Sequence, residues 1–237
     1  MSKTTFDLST LSDITDGTHT VTVKAKADGY IESEASNAVN YTVTTPALTD
    51  CILFEGETSD FTLKATDKEW NGTVEYSTDK NTWNTWNGSE ISSANKKLYL
   101  RGKNNTTFYA NNGVRFVLSA KAGCYGNINT LLDYENPPTK LETSCYLGMF
   151  RDCTLLTTAP ELPATTLASY CYQRMFDGCT SLKISATQTG EYTTAWRIPS
   201  AGEIAAEASN WNNNMLANTG GTFTANPSIN TTYYGAW

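Results

Sequence analysis

Histidine occurs once in the 237 residues, at His19. One imidazole cannot build a multi-histidine metal site, and it leaves acid–base catalysis without its usual neutral-pH group. Charge is scarce as well: 17% of residues are Asp, Glu, Lys or Arg, against about 25% in an ordinary soluble domain. The net charge is −7 and there is no run of Lys or Arg, which removes the electrostatic basis for nucleic-acid or anionic-membrane binding. No apolar stretch approaches the ~20 residues that span a bilayer, so no membrane insertion is expected. Met1-Ser2-Lys3-Thr4-Thr5 lacks the apolar core of a signal peptide, and Gly235-Ala236-Trp237 is no sorting motif. GxSxG, HExxH, P-loop and GxGxxG patterns are missing. The acidic pairs Glu32/Glu34 and Glu55/Glu57 have nothing beside them to orient a substrate. The expectation is a non-enzyme with no catalytic residues, no metal and no cofactor. Disorder is excluded too, because aromatics make up 11% of the chain.

What is present is β-pattern, rich in Thr, Asn and Ser. Residues 1–45 read as a short strand at Phe6–Ser9, a turn at Asp16-Gly17-Thr18-His19, and two alternating strands at Thr20–Ala27 and Ala38–Val43. Thr44-Thr45-Pro46 reads as a linker. Residues 46–123 offer five strands, at Cys51–Phe54, Phe61–Ala65, Val74–Ser77, Lys97–Gly102 and Val114–Leu118. Turn residues such as Asn71-Gly72 and Asn87-Gly88 separate them, as in a small antiparallel sandwich.

Residues 124–237 hold an internal repeat. Leu141-x-x-x-Cys145-Tyr146-x-x-Met149-Phe150-x-x-Cys153-Thr154-x-Leu156 recurs 26 residues later as Leu167, Cys171, Tyr172, Met175, Phe176, Cys179, Thr180 and Leu182. A recurring-Leu period of that length predicts a stacked solenoid in which each repeat is a short strand and a turn of helix. Beyond it, Pro199, the capping box Ser200-x-x-Glu203 and the spacing of Ile204, Ala208, Trp211 and Met215 predict an α-helix that caps the stack. Gly220-Gly221 would end this helix, and Thr222–Thr224 and Tyr233-Tyr234 read as closing strands.

Three stretches carry resemblances. "GTHTVTVKAKADGY…SNAVNYTV" resembles the last strands of fibronectin type III or bacterial immunoglobulin-like repeats. "VEYSTDKNTWNTWNG" resembles a phrase that precedes leucine-rich repeats in surface proteins of gut bacteria and their phages. The repeat itself, over about 124–182, resembles BspA-like leucine-rich repeats, and "TAWRIPS…TGGTFTANPSINTTYY" resembles their closing segment. The resemblance implies a mainly β chain: a partial immunoglobulin-like sheet, a small β-sandwich, then a leucine-rich-repeat body with one capping helix. It further implies a non-enzymatic attachment protein. The missing leader favours a phage virion accessory protein, a capsid decoration or fibre component; the alternative is a bacterial cell-surface adhesin. Residues 1–45, about half a sandwich, would join a virion protein, another structural protein or a second copy of the chain.

Two groups invite a chemical reading. Equivalent cysteines of adjacent repeats, Cys145 with Cys171 and Cys153 with Cys179, would lie about 4.8 Å apart. That suits either disulfides or a ladder of buried thiols; both are structural. Trp70, Tyr76, Trp83 and Trp86 form the densest aromatic group. With Asn71, Asp79, Asn84 and Asn87 nearby, it could hold a bacterial or mucosal glycan by ring stacking, or it could fill the sandwich core. Leu147-Gly148, Arg151-Asp152, Gln173-Arg174 and Asp177-Gly178 are the non-repeating positions where a solenoid binds partners.

Overall fold

The computed structural model describes residues 17–21, 24, 33–34, 39–43, 48–66, 70–109 and 113–237. The chain divides into two compact units, residues 1–47 and 48–237. In the first, β1 (Gly17–Val21) pairs antiparallel with β2 (Val39–Val43), with His19 opposite Tyr41. Gly17, Thr18 and His19 are therefore strand, not the expected turn: their alternation continues that of Thr20 and Val21 without a break. The strand expected at 6–9 and the linker at 44–46 lie outside the described residues.

The second unit begins with β3 (Ile52–Gly56), β4 (Thr62–Ala65), β5 (Thr73–Ser77), β6 (Asn84–Thr85), β7 (Ile91–Ser92), β8 (Lys97–Lys103), β9 (Phe116–Leu118), β10 (Ala122–Tyr125) and β11 (Leu156–Thr158). One sheet runs β11-β10-β3-β8-β5-β6 and a second β7-β4-β9. Strand alternation sorts the faces. In β8, Leu98 and Leu100 are buried while Lys97 is exposed and Arg101 and Lys103 are half-buried. Gly102, also buried, lets a 3₁₀ turn (Ile128–Leu131) lie on the strand, since a Cβ there would fall 1.7 Å from the Leu131 carbonyl oxygen. The boundary expected at residue 123 is no break. β10 pairs antiparallel with β3 and parallel with β11, and one buried apolar cluster runs from Ile52 to Tyr233.

From residue 127 the chain winds into three stacked coils. The remaining strands are β12 (Thr166–Leu167), β13 (Ile184–Ser185), β14 (Thr194–Arg197), β15 (Ala206–Glu207) and β16 (Thr232–Gly235). Parallel contacts join Asn127 to Glu161, Lys140 to Thr166, and β12 to β15. The repeat motif forms successive β-turns. In coil 1 the N–H groups of Cys145, Leu147, Met149, Arg151 and Cys153 each bond the carbonyl three residues back. The alternate N–H groups, from Ser144 to Asp152, bond carbonyls of coil 2 at 2.8–2.9 Å. Coil 2 repeats this toward coil 3, with Tyr172 bonding Trp211, Arg174 bonding Asn213, Phe176 bonding Met215 and Gly178 bonding Ala217.

Every fourth residue is left-handed: Ser144, Gly148 and Asp152; Tyr170, Arg174 and Gly178; Asn210, Asn214 and Asn218. That periodicity corrects both helix expectations. An L-residue α-helix cannot hold a left-handed residue each turn, and there is no α-helix among the described residues. The supposed capping helix is the third coil. Its register sets Trp211 at the place of Cys171, an offset of 40 instead of 26, and the extra residues carry β14.

The interior is a set of ladders. Met149, Met175 and Met215 share one position; Phe150, Phe176 and Leu216 share the next, and all six are fully buried. Phe150 and Phe176 stack at 5.5 Å, Tyr146 and Tyr172 at 6.0 Å. The segment that carries the first two sheets supplies the layer before coil 1. The N–H groups of Phe108 and Phe116 bond the carbonyls of Cys145 and Met149, as Tyr146 and Phe150 do to coil 2. At the far end Asn226 Oδ1 accepts the Asn214 N–H, and Asn212 Nδ2 donates to the Pro227 carbonyl. β16 pairs with β13 and β14. Thr222–Thr224 forms no strand; Phe223 instead packs on Tyr233, with ring centroids 4.6 Å apart.

Candidate functional site

The aromatic group Trp70, Tyr76, Trp83 and Trp86 does not assemble as a platform. Trp70 and Trp86 are 5% and 1% exposed and stack on each other at 5.4 Å, with Phe108 and Phe116 behind them. Neither presents a face to a sugar. The indole of Trp86 donates to the Ser89 carbonyl at 2.7 Å, which removes the polar cost of burying it. Tyr76 is half-buried against the same core. Trp83 alone lies outside, half-buried, with the Arg101 guanidinium 3.9 Å from its ring centre and 4.1 Å from that of Tyr134. Arg101 also pairs with Glu75 at 2.8 Å. This cluster satisfies itself.

The polar neighbours are committed as well. Asp79 Oδ1 accepts the N–H groups of Thr82 and Asn81 and the Ser77 hydroxyl, which hold its carboxyl down at about 2. Asn71 bonds Thr106 in both directions, and Asn87 Oδ1 caps Ser89. These side chains build the loops.

All six cysteines are free and buried. The Cys145 thiol faces the Thr106 carbonyl at 3.5 Å, and that of Cys179 the Phe150 carbonyl at 3.0 Å. Burial pushes Cys153 up to about 11 and Cys171 to about 12, and drives Cys124, Cys145 and Cys179 well above their ordinary value. A thiol so placed is neither nucleophile nor metal ligand at neutral pH. The ladder ends at coil 3, where Trp211 and Thr219 stand in the cysteine positions.

The outward turn edge of the coils is different. Of the non-repeating positions singled out in the sequence, Gly148 is buried and Leu147 half-buried. Arg151 pairs with Asp152, as does Arg115 from just before β9, both at 3.4 Å. Asp177 accepts a hydrogen bond from Asn218. Gln173 and Arg174 remain, with Asn213 and Asn214 beside them on coil 3. Tyr170 lies outside the repeat motif, since its counterpart 26 residues earlier, Ser144, is unlike it, and it is 39% exposed on this edge. No family model matches the chain, and neither a curated protein nor a solved structure matches it.

Proposed function

We propose that the chain is a non-catalytic attachment protein whose body is a short BspA-like leucine-rich-repeat stack. In this reading it is a phage virion accessory protein, and the bacterial cell-surface adhesin is the second reading. One observation carries it: coils joined by a periodic hydrogen-bond pattern, with Leu, Cys, Tyr, Met and Phe inward and unlike residues outward. Such a stack is a rigid ruler for surface contacts and has little else to offer chemically. The glycan, if one is held, belongs on the outward turn edge and not on Trp70 or Trp86. Residues 1–45 join the chain to a structural partner or to its own copies. Among the described residues of that unit β1 and β2 form a two-stranded sheet, and a sheet edge is a surface another chain can pair with.

Immunogold labelling of purified virions and of host envelopes tests the proposal. Label on virions supports the first reading, label on the envelope the second, and label on neither overturns both. Protein lacking residues 1–45 should keep its fold and lose its place on the labelled particle.

A further inference from the structure

The chain has five arginines. Arg101 pairs with Glu75, Arg115 and Arg151 with Asp152, and Arg197 with Glu203. Arg174 has no ion pair or hydrogen bond from its guanidinium among the described residues, and it is exposed. Tyr170, four residues earlier, is the most exposed large apolar side chain among them, and its hydroxyl has no partner there either. Both are left-handed, at φ 62° for Tyr170 and 55° for Arg174. The same two positions hold Ser144 and Gly148 in coil 1 and Asn210 and Asn214 in coil 3. Gly and Asn tolerate that conformation; a bulky side chain does not. The central coil thus carries left-handed backbone at two successive outward turns, each bearing an exposed long side chain.

We propose that Tyr170 and Arg174 are the contact residues of a binding site for a saccharide bearing a carboxylate, which rests on the attachment reading and names its ligand class. A tyrosine ring stacks on the C–H face of a sugar, and a guanidinium binds a carboxylate through two parallel N–H bonds. Gln173, Asn210, Asn213 and Asn214, on the same edge, supply amides for hydroxyl groups. The edge is amide-rich, and the open cleft beside Asn210, lined by Glu207, Ala208, Ser209, Asn210, Trp211 and Asn212, offers mainly polar groups, which suit a sugar better than an apolar peptide side chain. The net charge of −7 repels a dense polyanion and favours a sugar with isolated carboxylates.

The test is titration of the full chain with sialyllactose and a glucuronate disaccharide, with lactose as the neutral counterpart and a hexaglutamate peptide as the non-sugar anion. The carboxylated sugars should bind at least tenfold more tightly than lactose. Tyr170→Asn and Arg174→Asn should each weaken that binding at least tenfold, and Arg174→Lys less. Because each Asn relieves left-handed strain, both variants should melt about 2–4 °C higher than the parent. A lower Tm in Tyr170→Asn would mean the ring supports the fold, and that overturns the site. So does equal binding of lactose, unchanged binding by the variants, or binding of the peptide alone. Failure here leaves the immunogold result standing; absence of label from both surfaces leaves a positive titration standing.

Discussion

Coils 2 and 3 share a backbone and differ in nearly every side chain that the repeat motif defines. Cys171, Tyr172, Phe176 and Cys179 give way to Trp211, Asn212, Leu216 and Thr219; among the motif's inward residues only the methionine, Met175 and Met215, persists. What both preserve is conformational: a left-handed residue at every fourth position and a buried residue behind it. Coil 3 meets the first demand with three asparagines, the best non-glycine choice, and coil 2 with Tyr170, Arg174 and Gly178. The fold is specified by which residues can reverse the chain and which can be buried, and the recurring letters are one solution among several.

The largest test of that equivalence is Trp211→Ala. The indole is 5% exposed and meets Tyr172 edge-on at 6.2 Å. Removing it should cost about 3–5 kcal/mol and lower the melting temperature by roughly 10 °C. Phe176→Ala should cost as much or more, because Phe176 packs against Phe150 on one side and Trp196 on the other. Asn213→Ala, whose contribution is its backbone carbonyl, should be nearly silent. A Trp211→Ala protein that melts with the parent would mean coil 3 is not part of the core.

The sequence was legible where a strict pattern governs. Short apolar-rich runs bounded by turn residues located β3, β4, β5, β8 and β9, and the 26-residue offset located coils 1 and 2. It failed where two structures share one apolar spacing. Ile204, Ala208, Trp211 and Met215 fit a helical face, but Asn210, Asn214 and Asn218 impose turns on the same segment. Asparagine is a weak sequence signal for a left-handed turn, and apolar spacing outweighs it. The site was harder still. Trp density marks a core as readily as a platform, so Trp70 and Trp86 drew attention that belonged to Tyr170. Its left-handed backbone and its exposure, neither of them readable from composition or spacing, separate Tyr170 from the other described tyrosines.

The cysteine ladder gives a second, intermediate test, because it stops at coil 3. Burial raises the folded-state value of Cys153 from the ordinary 9.0 to about 11. The folded protein keeps that proton between pH 9 and 11 while the unfolded chain has lost it, so stability is full below pH 9 and falls as pH rises toward 11. Above both values the loss at this site corresponds to roughly 3 kcal/mol. Thermal melts across pH 8–11 should show the decline. A thiol reagent at pH 8 should modify none of the six cysteines until the protein unfolds. Cys153→Ala should make the alkaline limb shallower by its own share, the other buried thiols keeping the rest, and an unchanged limb would assign it wholly to other groups.

The smallest effect separates coil 1 from coil 2. Tyr146 and Tyr172 occupy one ladder position and stack nearly parallel, yet their hydroxyls end differently. Tyr146 meets the Ile128 carbonyl at 3.2 Å and Asn129 Oδ1 at 3.1 Å, whereas the buried hydroxyl of Tyr172 has no partner among the described residues. A satisfied buried hydroxyl adds about 1 kcal/mol, and an unsatisfied one subtracts a comparable amount through lost hydration. Tyr146→Phe should therefore lower stability by about 1 kcal/mol, and Tyr172→Phe should leave it equal or raise it by a similar amount. Denaturant titration of the two variants reads this as midpoints moving in opposite directions at constant slope. If Tyr172→Phe is destabilised as much as Tyr146→Phe, the two coils do not differ at this position and the hydroxyl of Tyr172 is satisfied in solution.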